Sequence, residues 1–130
     1  MNWVDAMGPR NALAIQVMNH CIKELMPRMK TLDIFLDETK DCDAFGYCLA
    51  ESKRTFVLEV GQHISDIEFV ETICHEMTHV AQYAKGRLAI NGKMDYKTQE
   101  EYENVWYEKE AYKMEKFLAK TFFENYFKKG

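Results

Sequence analysis

The sequence predicts an α+β domain: a small, mainly antiparallel sheet preceded by one helix, followed by a second, and closed by a third at the C-terminal end. Three observations predict it. Apolar residues recur at helical spacing in three separated stretches of the chain. Between the first two stretches lie short runs rich in β-branched and aromatic residues, two of them joined by four polar residues as in a hairpin. The whole spans 130 residues, the size of a single domain with one core. The expected packing places the first and last helices on the sheet, with the middle helix crossing its face.

The first helix opens at Gly8-Pro9-Arg10, where Pro9 suits the first helical position because its missing N–H has no intrahelical partner to lose. Leu13, Ala14, Val17, Met18, Cys21, Ile22, Leu25 and Met26 form its apolar stripe, and Pro27 closes it. His20 borders that stripe and has no partner at ligand spacing, so it reads as a boundary residue. Residues 31–37 partly alternate and read as a strand. Asp37, Glu38, Asp41 and Asp43 follow as a solvated acidic turn, since a Ca²⁺ loop would need a glycine and a closing glutamate that are missing. Residues 45–50 and 55–60 form the hairpin, with Gly46 marking a bulge or a close backbone approach. His63 falls in the loop beyond it.

Ser65-Asp66-Ile67-Glu68 is a capping box that starts the middle helix near Asp66, and Ala84-Lys85-Gly86 stops it. Ile67, Val70, Ile73, Cys74, Met77, Val80, Ala81 and Ala84 make its stripe; His75, His79 and Gln82 lie on one flank. After an Asn91-Gly92 turn, Thr98-Gln99-Glu100-Glu101 is a second capping box. A helix is expected from about Gln99 to Lys128, with an irregular start before Trp106. Its aromatic end (Phe122, Phe123, Tyr126, Phe127) reads as core packing.

Within the middle helix, His75-Glu76-Met77-Thr78-His79 is an HExxH pattern. Histidines four residues apart project from one side of a helix, a turn apart, so both imidazoles can reach one Zn²⁺ at about 2.0–2.1 Å. Glu76 lies about 100° round the axis from His75, beside such an ion, where it can take a proton from water. Chance alone supplies about one such match per hundred sequences of this composition. The capping box, stripe and stop around the motif favour the metal reading.

Composition removes other classes. A net charge of −4 and a pI near 5.6 argue against a nucleic-acid binder. No run approaches the roughly 18 apolar residues of a membrane helix, and residues 1–5 lack the basic start and apolar run of a signal peptide. Cys21, Cys42, Cys48 and Cys74 have no CxxC spacing, which excludes a zinc ribbon. They read as reduced, mostly packed thiols of a cytoplasmic protein. Nucleobase deamination would need a Pro-Cys-x-x-Cys partner that is missing.

Two histidines leave a catalytic zinc short of one protein ligand, and residues 106–114 offer carboxylates. Here the chain resembles the gluzincin branch of the zincin metallopeptidases, and more narrowly the minigluzincins and the small SprT-like peptidases of phages and bacteria. The matching residues are His75, Glu76 and His79, then Glu108-Lys109-Glu110-Ala111, with Gln82 also recurring in SprT-like sequences. The resemblance covers the order helix, strands, HExxH helix and glutamate helix. It implies a single zincin-like domain over residues 1–130, with Zn²⁺ held by His75, His79 and Glu108. Ala111 lies one turn from Glu108 on the same face, and a small residue there lets two helices approach closely. Glu110 points about 200° away from Glu108. It competes for the place of third ligand, as do Glu101 and Glu103.

One departure stands out: gluzincins often carry Asp or Asn four residues after the ligand glutamate, and this chain has Tyr112. A phenol there could accept the imidazole N–H or orient substrate. Tyr83, Tyr107 and Tyr112 are the candidate donors to an oxyanion. The expected function is a zinc-dependent peptidase with Glu76 as general base and acid and a peptide or protein as substrate. The resemblance further implies that the strand at 45–50, or its neighbour, pairs with the extended substrate. A second expectation is a zinc-binding structural or interaction module of the same fold with little peptidase activity.

Overall fold

The computed structural model of the chain describes residues 1–90 and 104–128. In order, the elements are β1 (Trp3–Met7), α1 (Asn11–Leu25), β2 (Asp33–Thr39), β3 (Gly46–Ala50), β4 (Thr55–Gly61), α2 (Asp66–Ala84) and α3 (Trp106–Lys128). The class is α+β, with a four-stranded sheet in the order β1-β2-β4-β3. It is mixed rather than mainly antiparallel: β1 pairs with β2 and β2 with β4 in parallel, and β3 with β4 antiparallel. The hairpin is the one pairing that a local turn encodes. The parallel pairs are made through connections, α1 for β1 and β2 and the whole of β3 for β2 and β4, that leave no local signature.

Strand β1 is absent from the sequence reading, because Trp3-Val4-Asp5-Ala6-Met7 buries only one side chain fully, Ala6. Strand β2 runs two residues later than the alternation suggested, so Asp37 and Glu38 belong to it. Glu38 is then buried rather than solvated. Its carboxylate takes the Arg10 Nε and backbone N–H, each at 2.7 Å. Arg10 also donates to the Ile64 carbonyl at 2.9 Å and lies over the Phe69 ring, tying the start of α1, the end of β2 and the start of α2 together. Pro9 precedes α1, which begins at Asn11.

The inner face of the sheet (Ile34, Leu36, Phe56, Leu58, Val60) is sealed by α1 and α2. Their apolar stripes fall as expected, except that Ile67 is exposed. Helix α3 packs mainly on α2 and touches α1, forming a further layer instead of lying on the sheet. Consequently α2 is enclosed on several sides, and every residue from Thr72 to Gln82 is buried. At the far end of α3, Phe122 is buried and Phe123 half-buried, whereas Tyr126 and Phe127 are exposed, so core packing accounts for only part of that aromatic run. The Asn91-Gly92 turn, the capping box at Thr98 and the carboxylates of Glu101 and Glu103 lie outside the described residues. Among those described, no helix is long and apolar enough to cross a membrane.

Candidate metal centre

The helix that carries the motif is held at both ends by its own sequence. Ser65 Oγ accepts from the Glu68 N–H at 3.1 Å while the Glu68 carboxylate takes the Ser65 N–H at 2.9 Å, satisfying donors that the first turn leaves unpaired. At the other end the chain leaves through Gly86, whose φ of +74° suits glycine. His75 and His79 then stand a turn apart on the side of α2 that faces α3. Ala111, buried at the crossing, leaves room for Glu108 to reach both.

A single Glu108 oxygen, Oε1, lies 2.9 Å from His75 Nε2 and 3.1 Å from His79 Nε2. Donors bound at about 2.0–2.1 Å to a tetrahedral ion sit roughly 3.3 Å apart, so a shift of a few tenths of an ångström would admit one. The donor atoms of His75, His79 and Glu108 all lie within 4.8 Å of one another, and all three side chains are buried. The group can hold a metal ion. Glu110 is not in it, as its position round the helix required.

Behind each imidazole stands an acceptor. His75 Nδ1 donates to Glu115 Oε1 at 2.8 Å, and His79 Nδ1 donates to Gln82 Oε1 at 2.8 Å. The Gln82 amide is oriented by its other end, since its NH₂ donates to the Tyr107 carbonyl and to Glu110 Oε1, both at 3.0 Å. Arg87 in turn holds Glu110 through two contacts, at 2.8 and 2.9 Å. Both rings therefore keep Nε2 pointed at the Glu108 oxygen, which is the orientation a metal ligand needs.

Tyr112 does not take the imidazole N–H; its ring meets His75 edge-on with centroids 4.8 Å apart, and Tyr107 approaches His79 at 6.3 Å. Tyr83 packs beside Phe56, 6.3 Å between centroids. The sequence reading missed Glu115. The signal was present: residues 108, 111 and 115 fall at i, i+3 and i+7, one face of α3.

Charges follow from this packing. Burial would lower His75, but the Glu108 and Glu115 carboxylates outweigh it and raise its pKa to about 10. His79 is likewise raised by Glu108 against burial. Burial alone would raise Glu108, yet the two imidazole N–H groups hold it down to about 2. In this geometry every ring nitrogen of the two histidines faces an acceptor oxygen. Glu76 does not join the cluster. Burial pushes its pKa up, opposed by His79 and His75.

Glu76 looks toward β3. A Cβ at Gly46 would stand 3.6 Å from Glu76 Oε2, 2.7 Å from Thr72 Cγ2 and 2.9 Å from the Glu59 carbonyl, so only glycine lets β3 come this near α2. Burial, with Glu76 and Glu108 nearby, likewise pushes the Cys48 thiol well up. Among the described residues strand β3 ends the sheet, and the phase of its outer side is fixed by two hydrogen bonds. Gly61 N–H donates to the Phe45 carbonyl and Glu51 N–H to the Thr55 carbonyl, each at 2.9 Å. Odd-numbered residues therefore bond β4, and Gly46, Cys48 and Ala50 turn their backbone groups to the open edge. All four cysteines are free; His20 bridges α1 to Thr121 and His63 lies in an exposed loop.

No family model, curated protein or solved structure matches the chain.

Proposed function

We propose that the chain is a zinc-dependent metallopeptidase of the gluzincin type. His75, His79 and Glu108 would hold the ion, a two-histidine, one-glutamate donor set that in catalytic zinc sites leaves a position open. Bound there, zinc supplies Lewis acidity for a peptide carbonyl and for water. The observation that carries the reading is the one Glu108 oxygen placed between two Nε2 atoms, each ring fixed from behind. The resemblance to minigluzincins and SprT-like peptidases supports it.

Glu76 does the proton work. It takes a proton from the water that attacks the carbonyl and returns it to the departing amine. A carboxyl whose pKa burial has raised is suited to both steps near neutral pH. An extended peptide pairs with the edge of β3 through the backbone groups of Gly46, Cys48 and Ala50, whose small side chains leave room above α2. Tyr107 and Tyr112, with rings against the two histidines, are better placed than Tyr83 to donate to the developing oxyanion.

The test is digestion of an unbiased peptide library, read by mass spectrometry. Zinc-loaded protein should cleave, a chelator should stop it, and added zinc should restore it. Glu76→Gln should keep its zinc and lose cleavage. Full turnover in that variant removes Glu76 from the mechanism; zinc held without any cleavage leaves a structural or interaction module.

A further inference from the structure

Among the described residues, no helix covers the face of the sheet turned away from α1 and α2, although three of its strands, β1, β2 and β4, run parallel. Parallel strands are ordinarily covered on both faces. The register brings Phe35, Val57 and Leu49 into one row across this surface, with Trp3, Met7 and Tyr47 around it. Trp3 is 65% exposed, Met7 55% and Leu49 52%, so large apolar side chains share one bare face instead of being scattered. Four carboxylates interleave with them: Asp5, Asp33, Asp37 and Glu59. Among the described residues none of the four is in an ion pair, and no strand position is Lys or Arg.

We propose that this face docks a basic amphipathic helix of a partner protein. Charge selects the occupant. A second copy placed face to face would bring eight carboxylates together, and an anionic lipid surface would be repelled. Lysines or arginines flanking an apolar stripe would meet the four carboxylates while the stripe covers the Phe35–Val57–Leu49 row. The row crosses two strand spacings, roughly 10 Å, which about seven residues of helix span. Docking here needs no part of the metal centre, so it stands or falls separately from peptide hydrolysis.

The test titrates the full chain with a synthetic leucine–lysine amphipathic helix of about five turns, and with a scrambled peptide of identical composition, following backbone amide NMR signals. Saturable shifts are expected along the outward residues of β1 to β4, weakening with added salt, and absent with the scrambled peptide. Leu49→Lys should weaken binding about tenfold or more. So should Asp37→Lys with Glu59→Lys, each variant first required to show a native amide spectrum. Glu76→Gln should bind like the parent. The proposal is overturned if this face shows no saturable shifts, if the scrambled peptide binds equally, or if the shifts lie on the helices. A parent chain that sediments as a dimer, made monomeric by Leu49→Lys, would overturn it in favour of a second copy.

Discussion

Two turns along α3 from Glu108, the carboxylate of Glu115 decides how firmly His75 can hold a metal. It takes the Nδ1 proton at 2.8 Å and so leaves Nε2 as the donor atom. Glu115→Gln should keep the fold by circular dichroism but weaken zinc binding by about 10–100-fold in competition with a chelator. An unchanged affinity would reduce Glu115 to a spectator. The same contacts set a proton count. Because the two Nε2 atoms meet Glu108 Oε1 and the carboxylates raise the pKa of His75 to about 10, zinc binding near pH 7 displaces protons. Calorimetry in buffers of different ionisation enthalpy should report release of between one and two protons per zinc. His75, Glu76 and His79 were legible in the sequence because their spacing is local, and Glu108 because Ala111 sits one turn away. Glu115 shares the face of Glu108 and Ala111, a spacing that marks its side of the helix but not its histidine partner on α2. The Arg87–Glu110–Gln82 chain was not legible, since its members come from separate elements and no spacing within one helix announces them.

At the scale of elements, the close approach of β3 to α2 rests on the missing side chain at Gly46. Gly46→Val places a branched Cβ against Thr72 and the Glu59 carbonyl and should destabilise the protein by about 1–3 kcal/mol in urea unfolding. It should also loosen the strand edge nearest Glu76. An undiminished midpoint would mean that β3 gives way cheaply. Arg10→Met removes the partner of the buried Glu38 carboxylate, which at about 3–5 kcal/mol is the costlier lesion by the same measurement. Helix α2 was read to its ends because a capping box and a stop glycine are written in consecutive residues. The hairpin was legible for the same reason. Strand β1 and both parallel pairings escaped because they rest on contacts between residues far apart in the chain, such as Trp3 with Asp33 and Asp33 with Thr55, which a five-residue run such as Trp3–Met7 does not declare. Glu38 looked solvated because its partner Arg10 lies 28 residues away.

Across the whole molecule, the layering of sheet, α1 with α2, and α3 buries a cluster whose imidazoles and carboxylates offset one another's charge. His75 has a folded pKa raised from 6.5 to about 10, so its contribution to stability is full below about pH 6.5 and fades as pH rises through 10. Glu108, lowered from 4.5 to about 2, contributes above about pH 4.5 and loses that contribution as pH falls through 2. Both shifts describe one shared contact and are not added. Metal-free protein should therefore lose thermal stability between pH 7 and 10. The gain in Tm on adding zinc should grow over the same range as protons cease to compete, and a gain independent of pH would place the ion elsewhere. The α+β class and the order of the elements after β1 were legible from composition and periodicity. The stacking of α3 on α2 was not, because an amphipathic stripe says that a face is buried and not against what.

The most direct measurement is a crystal structure of zinc-loaded protein with anomalous scattering recorded at the zinc edge. One ion is expected within about 2.0–2.2 Å of His75 Nε2, His79 Nε2 and a Glu108 oxygen, with Glu76 beside it and not bound. An ion bound elsewhere, or His75, His79 and Glu108 facing apart with none between them, would contradict it.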